Sequence, residues 1–174
     1  RLFVIDNAYG EYSDTEYLDM ALKYDNVVLL KTFSKIGFAG MRCGYAISNK
    51  EVIDTLHKVK PPYNVNNISS RIAIEVLKNF NTIKQNIELI KKERQRMVDL
   101  LKEKFLILPS EANFICIVDE KSDEIFDHLL MNSILVKKFN IDGKKLLRIT
   151  INKPEANDII IKSLLNFDKG RKGE

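Results

Sequence analysis

Residues 27–35, VVLLKTFSK, decide the fold of this chain. Four consecutive apolar residues open the stretch, and such runs are typical of strands that are buried on both faces of a parallel sheet. The apolar run at 2–5, which ends on Asp6, has the same character. Because residues 15–24 between them carry apolar side chains at helical spacing, the opening of the chain predicts a strand, a helix and a second strand.

The next part of the chain predicts a short strand and a long, interrupted helical stretch. Residues 43–47 fit the strand, and Ser48 is the predicted N-cap of the helix that follows it. Over 67–104 apolar residues recur every three or four positions, which predicts amphipathic helix. A break is expected at 79–81, where asparagine, a poor helix former, stands on both sides of Phe80.

Residues 80–174 alternate between strand and helix patterns and form the second predicted unit. We expect its elements, in chain order, as strands at 105–108 and 113–118, a helix at 122–131, strands at 134–136 and 146–151, and a helix at 155–166. The charged residues 168–174 are predicted to fray. Because the chain opens inside a strand pattern, without an initiator Met, we also expect it to be part of a longer protein.

The composition of the chain excludes several classes of protein. With 45% hydrophobic and 30% charged residues over 174 positions, it is an ordinary globular chain, and it contains no apolar run of membrane-spanning length. The net charge of +4 is too small for a nucleic-acid binder but favours anionic, phosphorylated small molecules. Two cysteines and two histidines without ligand spacing predict no metal site and a reducing compartment, the cytoplasm.

Two polar residues, Asp6 and Lys35, follow the carboxyl ends of the first two predicted strands. In open α/β sheets ligands bind beyond these ends, so both side chains are expected in one crevice. A lysine there is either an ordinary solvated residue or an amine that bonds covalently to a carbonyl group, which requires it to be desolvated and neutral. The position of Lys35 alone leaves both interpretations open.

A series of short motifs carries a resemblance to a known family. They are, in chain order, DNAY at 6–9, TFSK at 32–35, GFAGMRCGY at 37–45, PYNVN at 62–66, PSEANF at 109–114, ILVK at 134–137 and LRITI at 147–151. Together they resemble the class I and II pyridoxal-phosphate-dependent aminotransferases, most closely the histidinol-phosphate aminotransferases. The resemblance implies an α/β protein of fold type I, with 1–79 as the C-terminal part of the large, parallel-sheet domain that binds the cofactor and 80–174 as the small α+β domain.

The resemblance also implies roles for individual residues toward pyridoxal phosphate. Lys35 would be the catalytic residue, which holds the cofactor through its amine and moves a proton at the substrate α-carbon. Asp6 would keep the pyridine nitrogen protonated, and the alternative is an aspartate that caps a turn after its strand. Tyr9 would donate to the phenolic oxygen of the ring, and Ser34 and Arg42 would bind the cofactor phosphate.

Two further residues are implied in substrate binding. Arg148 lies among apolar neighbours, where a lone cation needs a partner, and the resemblance implies that it binds the carboxylate or phosphate of the substrate. The alternative is an arginine on the polar face of an alternating strand. Lys137 stands where the family usually has an arginine that binds phosphate, and Asn7 stands where it usually has a glutamate. A lysine binds phosphate as a point charge, so the change at 137 leaves the substrate less defined.

The function that the resemblance implies is amino transfer between histidinol phosphate, or an amino acid, and 2-oxoglutarate, in histidine biosynthesis. The active form would be a cytoplasmic homodimer. One alternative is a threonine-phosphate decarboxylase, which resembles the same family, and another is a non-catalytic fragment that acts as a binding or dimerisation module. Because the family's N-terminal half supplies a phosphate loop and a ring-stacking residue, we expect the 174-residue chain alone to bind the cofactor poorly and to be inactive.

Overall fold

The computed structural model of this chain describes residues 1–167 and divides into two compact units. They are Arg1–Ile87 and Glu88–Glu174, and the division falls within the helix Phe80–Leu101. The predicted boundary at 79/80 coincides with the start of that helix, and the assignment of a large and a small domain stays a prediction. The predicted fraying concerns residues 168–174, which lie outside the described residues.

The first unit is built on a three-stranded sheet in the order β1-β2-β3, with β1 parallel and β3 antiparallel to β2. Its strands are β1 (Phe3–Asp6), β2 (Val27–Thr32) and β3 (Gly44–Ile47), and its helices are α1 (Leu18–Lys23), α2 (Lys50–Val59), α3 (Asn67–Lys78) and the start of α4 (Phe80–Leu101). The predicted strand, helix and strand at the opening are confirmed. The predicted helix break is confirmed as well, since α3 ends before Asn79 and α4 begins after it.

The predicted burial is correct for the first three residues of β2, and it is wrong for Leu30, which is 38% exposed, and for β1. Val27, Val28 and Leu29 are at most 4% exposed, and they contribute to the core of the unit. Phe3 and Val4, in contrast, are 62% and 57% exposed. The apolar run of β1 indicates a preference for strand, but burial depends on neighbouring elements, and β1 is an edge strand of this sheet.

The predicted N-cap of α2 is also corrected. The side chain of Asn49 accepts a hydrogen bond from the Val52 amide at 2.9 Å, so Asn49 is the cap. The hydroxyl of Ser48 instead donates to the carbonyl of Val27 at 2.6 Å. Serine and asparagine both cap helices well. Because the Ser48 hydroxyl is hydrogen-bonded to β2, Asn49 caps the helix instead.

The second unit contains a four-stranded antiparallel sheet in the order β4-β5-β7-β6. Its strands are β4 (Leu106–Leu108), β5 (Phe114–Val118), β6 (Lys137–Ile141) and β7 (Lys144–Thr150), and its helices are α5 (Ser122–Met131), α6 (Pro154–Asn166) and the second part of α4. These elements confirm the predicted ones except at the third strand.

The strand predicted at 134–136 is wrong, because β6 begins only at Lys137. Ile134 and Val136 pack against the hydrophobic core of the unit without joining the sheet. All five residues of β6 are exposed, and among the strands within residues 1–167 this edge strand pairs only with β7. A search for apolar runs misses such a strand, since its residues have no core to enter.

Side chains alternate strictly between the two faces of β5 and β7. Ile115, Ile117, Leu147 and Ile149 are at most 1% exposed and form the core together with residues of α4, α5 and α6. The residues between them point to the opposite face, among them Arg148. One face of the sheet therefore stabilises the unit, and the other face places Arg148 among largely apolar neighbours.

A buried polar network joins α4 to the start of α6. Glu93, which is 6% exposed, accepts two hydrogen bonds from the Arg96 guanidinium, at 2.9 and 2.7 Å, and one from the side chain of Asn157 at 2.8 Å. Asn157 is fully buried and also accepts from the Asn152 amide. The Arg96 hydrogen bonds hold the pKa of Glu93 below its usual value, against the opposing effect of burial.

None of the helices within residues 1–167 combines the length and the apolar composition needed to cross a bilayer.

Replacing Glu93 by Gln is expected to lower the stability of the second unit by about 2 kcal/mol at neutral pH, since the hydrogen bonds lose their ionic character. Because the folded pKa of Glu93 lies below the ordinary value of 4.5, its contribution is complete above that pH and is lost as the pH falls through the folded pKa. The difference between the two proteins should therefore shrink in acid. Urea unfolding followed by the methyl signals of Ile115 and Leu147 measures it. Asp99→Asn, which removes an exposed pair between α4 and Lys102 just after its end, is the control and should change little.

Candidate active site

Lys35 lies just beyond the carboxyl end of β2, in the short helical turn Ser34–Phe38. Its half-buried side chain places Nζ 4.9 Å from the centroid of the Tyr9 ring. Its carbonyl oxygen accepts a hydrogen bond from the Tyr12 hydroxyl at 2.8 Å, and Tyr12 is only 4% exposed. The segment after β1 therefore contacts both the side chain and the backbone of Lys35.

Asp6 ends β1 at the same edge of the sheet. In the parallel register Asp6 lies opposite Leu30, so both strands run toward this edge. One carboxylate oxygen of Asp6 accepts a hydrogen bond from the Ala8 amide at 3.1 Å, which stabilises the turn after the strand. The side chain is exposed, and an ionised carboxylate can accept several further hydrogen bonds.

The two predicted phosphate ligands, Ser34 and Arg42, lie in the segment between β2 and β3 but share no hydrogen bond within the described residues. Ser34 is half-buried, and its hydroxyl oxygen accepts from Thr32 Oγ1 at 3.0 Å. Thr32 Oγ1 accepts in turn from the Ser34 amide. Arg42 is exposed and has a φ of +50°, in the left-handed region.

The turn that carries Lys35 depends on one glycine. Gly37 has a φ of +106°, a backbone conformation that is disfavoured for residues with a Cβ. A second glycine, Gly44, stands where β3 approaches β2, and a Cβ there would lie 2.7 Å from the Lys31 carbonyl oxygen. Gly40 has an ordinary φ and open space around it, so it carries no such constraint.

An ion pair lies near this turn. Lys31 Nζ is 2.6 Å from a carboxylate oxygen of Glu11, and both side chains are about four-fifths buried. Burial, and then the negative charge of Glu11, raises the pKa of the Tyr12 hydroxyl. Tyr12 is therefore protonated at neutral pH and remains a hydrogen-bond donor to the backbone of Lys35.

In the second unit, Arg148 lies between two aromatic rings from the neighbouring strands. Its Cζ is 5.2 Å from the ring centroid of Phe114 in β5 and 5.5 Å from that of Phe139 in β6. Its Nε is buried without a hydrogen-bond partner, and within the described residues no carboxylate forms an ion pair with it. Aromatic faces attract a cation, but they do not satisfy its N–H groups.

Lys137 lies directly opposite Arg148 across the β6–β7 pair, and Cys116 lies opposite it across the β5–β7 pair. Two cations at opposed strand positions repel each other unless an anion joins them. Burial raises the pKa of the Cys116 thiol and Arg148 opposes that shift. This face of the sheet therefore offers a guanidinium with one unsatisfied N–H group, a neighbouring ammonium and aromatic walls, which suits an anion.

Several contacting residues escape prediction from the sequence: Tyr12, Thr32, Cys116, Phe114 and Phe139. The aromatic residues beside Arg148 could in principle be predicted from the sequence. Alternation along three adjacent strands puts every second residue on one face, so the neighbours of a buried arginine can be listed once the strands are paired. The contact of Tyr12 with a backbone carbonyl has no such signal. No group of three or more candidate metal ligands is found within residues 1–167.

A family model described as aminotransferase class I and II matches residues 1–164. The chain belongs to this family. The resemblance deduced from the motifs is thereby confirmed. A histidinol-phosphate aminotransferase of Pyrococcus furiosus is 39% identical over 170 residues, which cover 96% of this chain and 48% of that protein. The chain thus spans about half the length of the curated relatives it matches.

Solved structures of aminotransferases and related enzymes share the fold. The histidinol-phosphate aminotransferase of Clostridium acetobutylicum superposes with a TM-score of 0.85 at 24% identity, over 98% of this chain and 55% of that one. The L-threonine-O-3-phosphate decarboxylase of Porphyromonas gingivalis reaches a TM-score of 0.81 at 23% identity, over 96% and 55%. At these identities the likeness concerns the fold alone, and it confirms the predicted α/β fold of type I.

Replacing Gly37 by Ala is expected to destabilise the first unit by about 1–2 kcal/mol, because alanine is strained at this positive φ. Gly40→Ala is the matched control in the same segment, and it should be neutral or stabilising by about 0.5 kcal/mol through loss of unfolded-state entropy. Urea unfolding followed by the methyl signals of Val28 and Leu29 reports on this unit. Equal effects of the two substitutions would contradict the role of Gly37 in the turn.

Proposed function

We propose that this chain supplies the lysine-bearing and substrate-anion-binding parts of a pyridoxal-phosphate-dependent aminotransferase. The observation that carries the proposal is the half-buried amine of Lys35 against the Tyr9 ring, at the edge where the parallel strands β1 and β2 end. Family membership supports the reaction type. An amino group passes from a donor to the enzyme and then to an oxo acid, in two half-reactions.

The donor set of the first unit fits pyridoxal phosphate. A phosphorylated pyridine aldehyde needs an amine, a carboxylate for its ring nitrogen, a hydroxyl for its phenolic oxygen and donors for its phosphate. Lys35, Asp6 and Tyr9 supply the first three. The hydroxyl of Ser34 and the guanidinium of Arg42 supply donors for the phosphate, and a guanidinium binds it in a bidentate manner.

When bound, the cofactor supplies the electron sink that stabilises negative charge at the substrate α-carbon. Lys35 would hold the aldehyde through its amine, and the same amine would carry the proton from the α-carbon. Asp6 holds the proton at the ring nitrogen through opposite charge, and Tyr9 donates a hydrogen bond to the phenolic oxygen. The bond from Tyr12 fixes the peptide of Lys35, so that the amine starts from a defined position.

The second unit contributes the recognition of substrate charge. Arg148 offers a buried, unsatisfied Nε–H group, and an anion that accepts from it removes the cost of its burial. Lys137 adds a second positive charge at the opposed strand position. A doubly charged phosphate uses both cations, whereas a carboxylate can be neutralised by Arg148 alone.

We infer that the amino donor is histidinol phosphate and the acceptor 2-oxoglutarate, and that the protein serves histidine biosynthesis. The relative from Pyrococcus furiosus bears the name histidinol-phosphate aminotransferase, which supports this choice. The free thiols of Cys43 and Cys116 are consistent with a reducing cytoplasm. A homodimer is the proposed active form, and the 174-residue chain alone is expected to bind the cofactor poorly.

Lys35→Ala in the full-length protein is expected to reduce amino transfer from histidinol phosphate by about 10²–10⁴-fold, since the proton carrier is lost. Glutamate formation from 2-oxoglutarate measures the rate. Borohydride treatment with pyridoxal phosphate should fix the cofactor to the peptide that contains Lys35. Lys50→Ala, at an 88% exposed side chain on α2, is the control and should leave the rate unchanged. An unlabelled Lys35 peptide, or an active alanine variant, would favour the non-catalytic module instead.

Lys137→Arg is expected to lower KM for histidinol phosphate by about threefold to tenfold and to leave KM for an unphosphorylated aromatic amino acid unchanged, because a guanidinium binds phosphate in a bidentate manner. Steady-state rates with both donors measure the effect. Product analysis tests the reaction itself, since carbon dioxide released from threonine phosphate without amino transfer would indicate a decarboxylase. A uniform change in KM for both donors would argue against a phosphate contact at 137.

A further inference from the structure

Phe139 contacts two positive groups at once. Its ring centroid lies 5.9 Å from Lys137 Nζ and 5.5 Å from Arg148 Cζ, both within the range of a cation–π interaction. Lys137 and Arg148 occupy directly opposed positions of β6 and β7. Because side chains alternate along a strand, Phe139, two residues after Lys137, lies on the same face as both cations.

The ring offsets a repulsion that the strand pairing imposes. Like charges directly opposite each other destabilise a strand pair, and within the described residues no ion pair is found for either cation. The negative face of an aromatic ring attracts both. A lysine on a flexible stem at an exposed edge strand otherwise extends into water, away from the guanidinium.

The two cations depend on Phe139 to different degrees. Arg148 is also in contact with the Phe114 ring, 5.2 Å away on β5, and it is half-buried on the central strand β7. Lys137 is exposed on the edge strand β6, and within residues 1–167 Phe139 is the ring it contacts. Loss of the Phe139 ring would therefore leave the guanidinium in place and release the ammonium.

We propose that Phe139 is a positioning residue that keeps the Lys137 ammonium beside the Arg148 guanidinium, and that it thereby sets the preference for a doubly charged phosphate over a singly charged carboxylate. This inference rests on the proposed function, in which both cations bind the substrate anion. Phe139 touches no reacting atom and acts through the two cations.

The test uses the 174-residue chain with inorganic phosphate and acetate as probes. The Nε–Hε NMR signal of Arg148 reports binding of each anion, because this group is buried and has no partner of its own. Phe139→Leu is expected to raise the Kd of phosphate about fivefold to tenfold and that of acetate less than about twofold. Phe139→Tyr keeps the ring and should remain within about twofold of the original chain. Unchanged methyl signals of Ile115 and Leu147 establish that each variant is folded.

Phe126→Leu is the matched control, since it removes a ring 4.5 Å from Lys138 Nζ, in the same unit but at a different cation. It should leave both anion affinities unchanged. Combining Phe139→Leu with Lys137→Ala should add little to Lys137→Ala alone, because the ring acts through that ammonium. An absent phosphate response of Arg148, equal losses for phosphate and acetate, or additive effects in the double variant would each overturn the inference.

Amino transfer by the full-length protein separates this inference from the proposed function. An inactive full-length protein with intact, Phe139-dependent phosphate selectivity would overturn the proposed function alone. An active protein in which Phe139→Leu leaves the ratio of kcat/KM for phosphorylated and unphosphorylated donors unchanged would overturn the positioning role alone. We expect Phe139→Leu to raise KM for the phosphorylated donor and to leave the other kinetic constants unchanged.

Discussion

The parallel ladder between β1 and β2 is the contact on which the first unit depends. Its register runs from Phe3 opposite Val27 to Asp6 opposite Leu30, so the chain leaves both strands at one edge. Tyr9 and Lys35 each follow one of these ends by three residues, so the pairing of β1 with β2 brings them to the same edge of the sheet. A slip of one residue would turn the side chains of β1 to the opposite face and separate the ligands.

In the second unit, a single strand serves two purposes. Leu147 and Ile149 of β7 enter the core, while Arg148 between them faces the aromatic rings of both neighbouring strands. The central position of β7 fixes the guanidinium, since hydrogen bonds to β5 and β6 hold its backbone on both sides. Lys137 lies on an edge strand and lacks this support on one side. The position of its ammonium therefore depends more on neighbouring side chains than the position of the Arg148 guanidinium does.

The sequence was most informative where a pattern reports a property of the local chain. The helix over 122–131, the break around Asn79 and the buried first half of β2 follow from periodicity and composition, and the motifs pointed to the correct family. Predictions failed where a neighbour decided the outcome: the exposure of β1, the cap at Asn49 instead of Ser48, and the polar edge strand β6. Within the candidate site, residue types indicated Lys35 and Arg148, but the rings around Arg148 and the bond from Tyr12 required the paired structure. The roles of the site residues remain predictions.

The left-handed backbone of Arg42 has a consequence for protein engineering. Glycine or asparagine would adopt its φ of +50° with less strain, and the cost for other residues is roughly 1 kcal/mol. A redesign that optimises thermostability alone would therefore exchange this arginine for one of them. Such a variant would gain melting temperature and lose the guanidinium that we propose as a ligand of the cofactor phosphate, so stability and the proposed cofactor binding compete at this position. Position 42 should be held fixed in any such redesign.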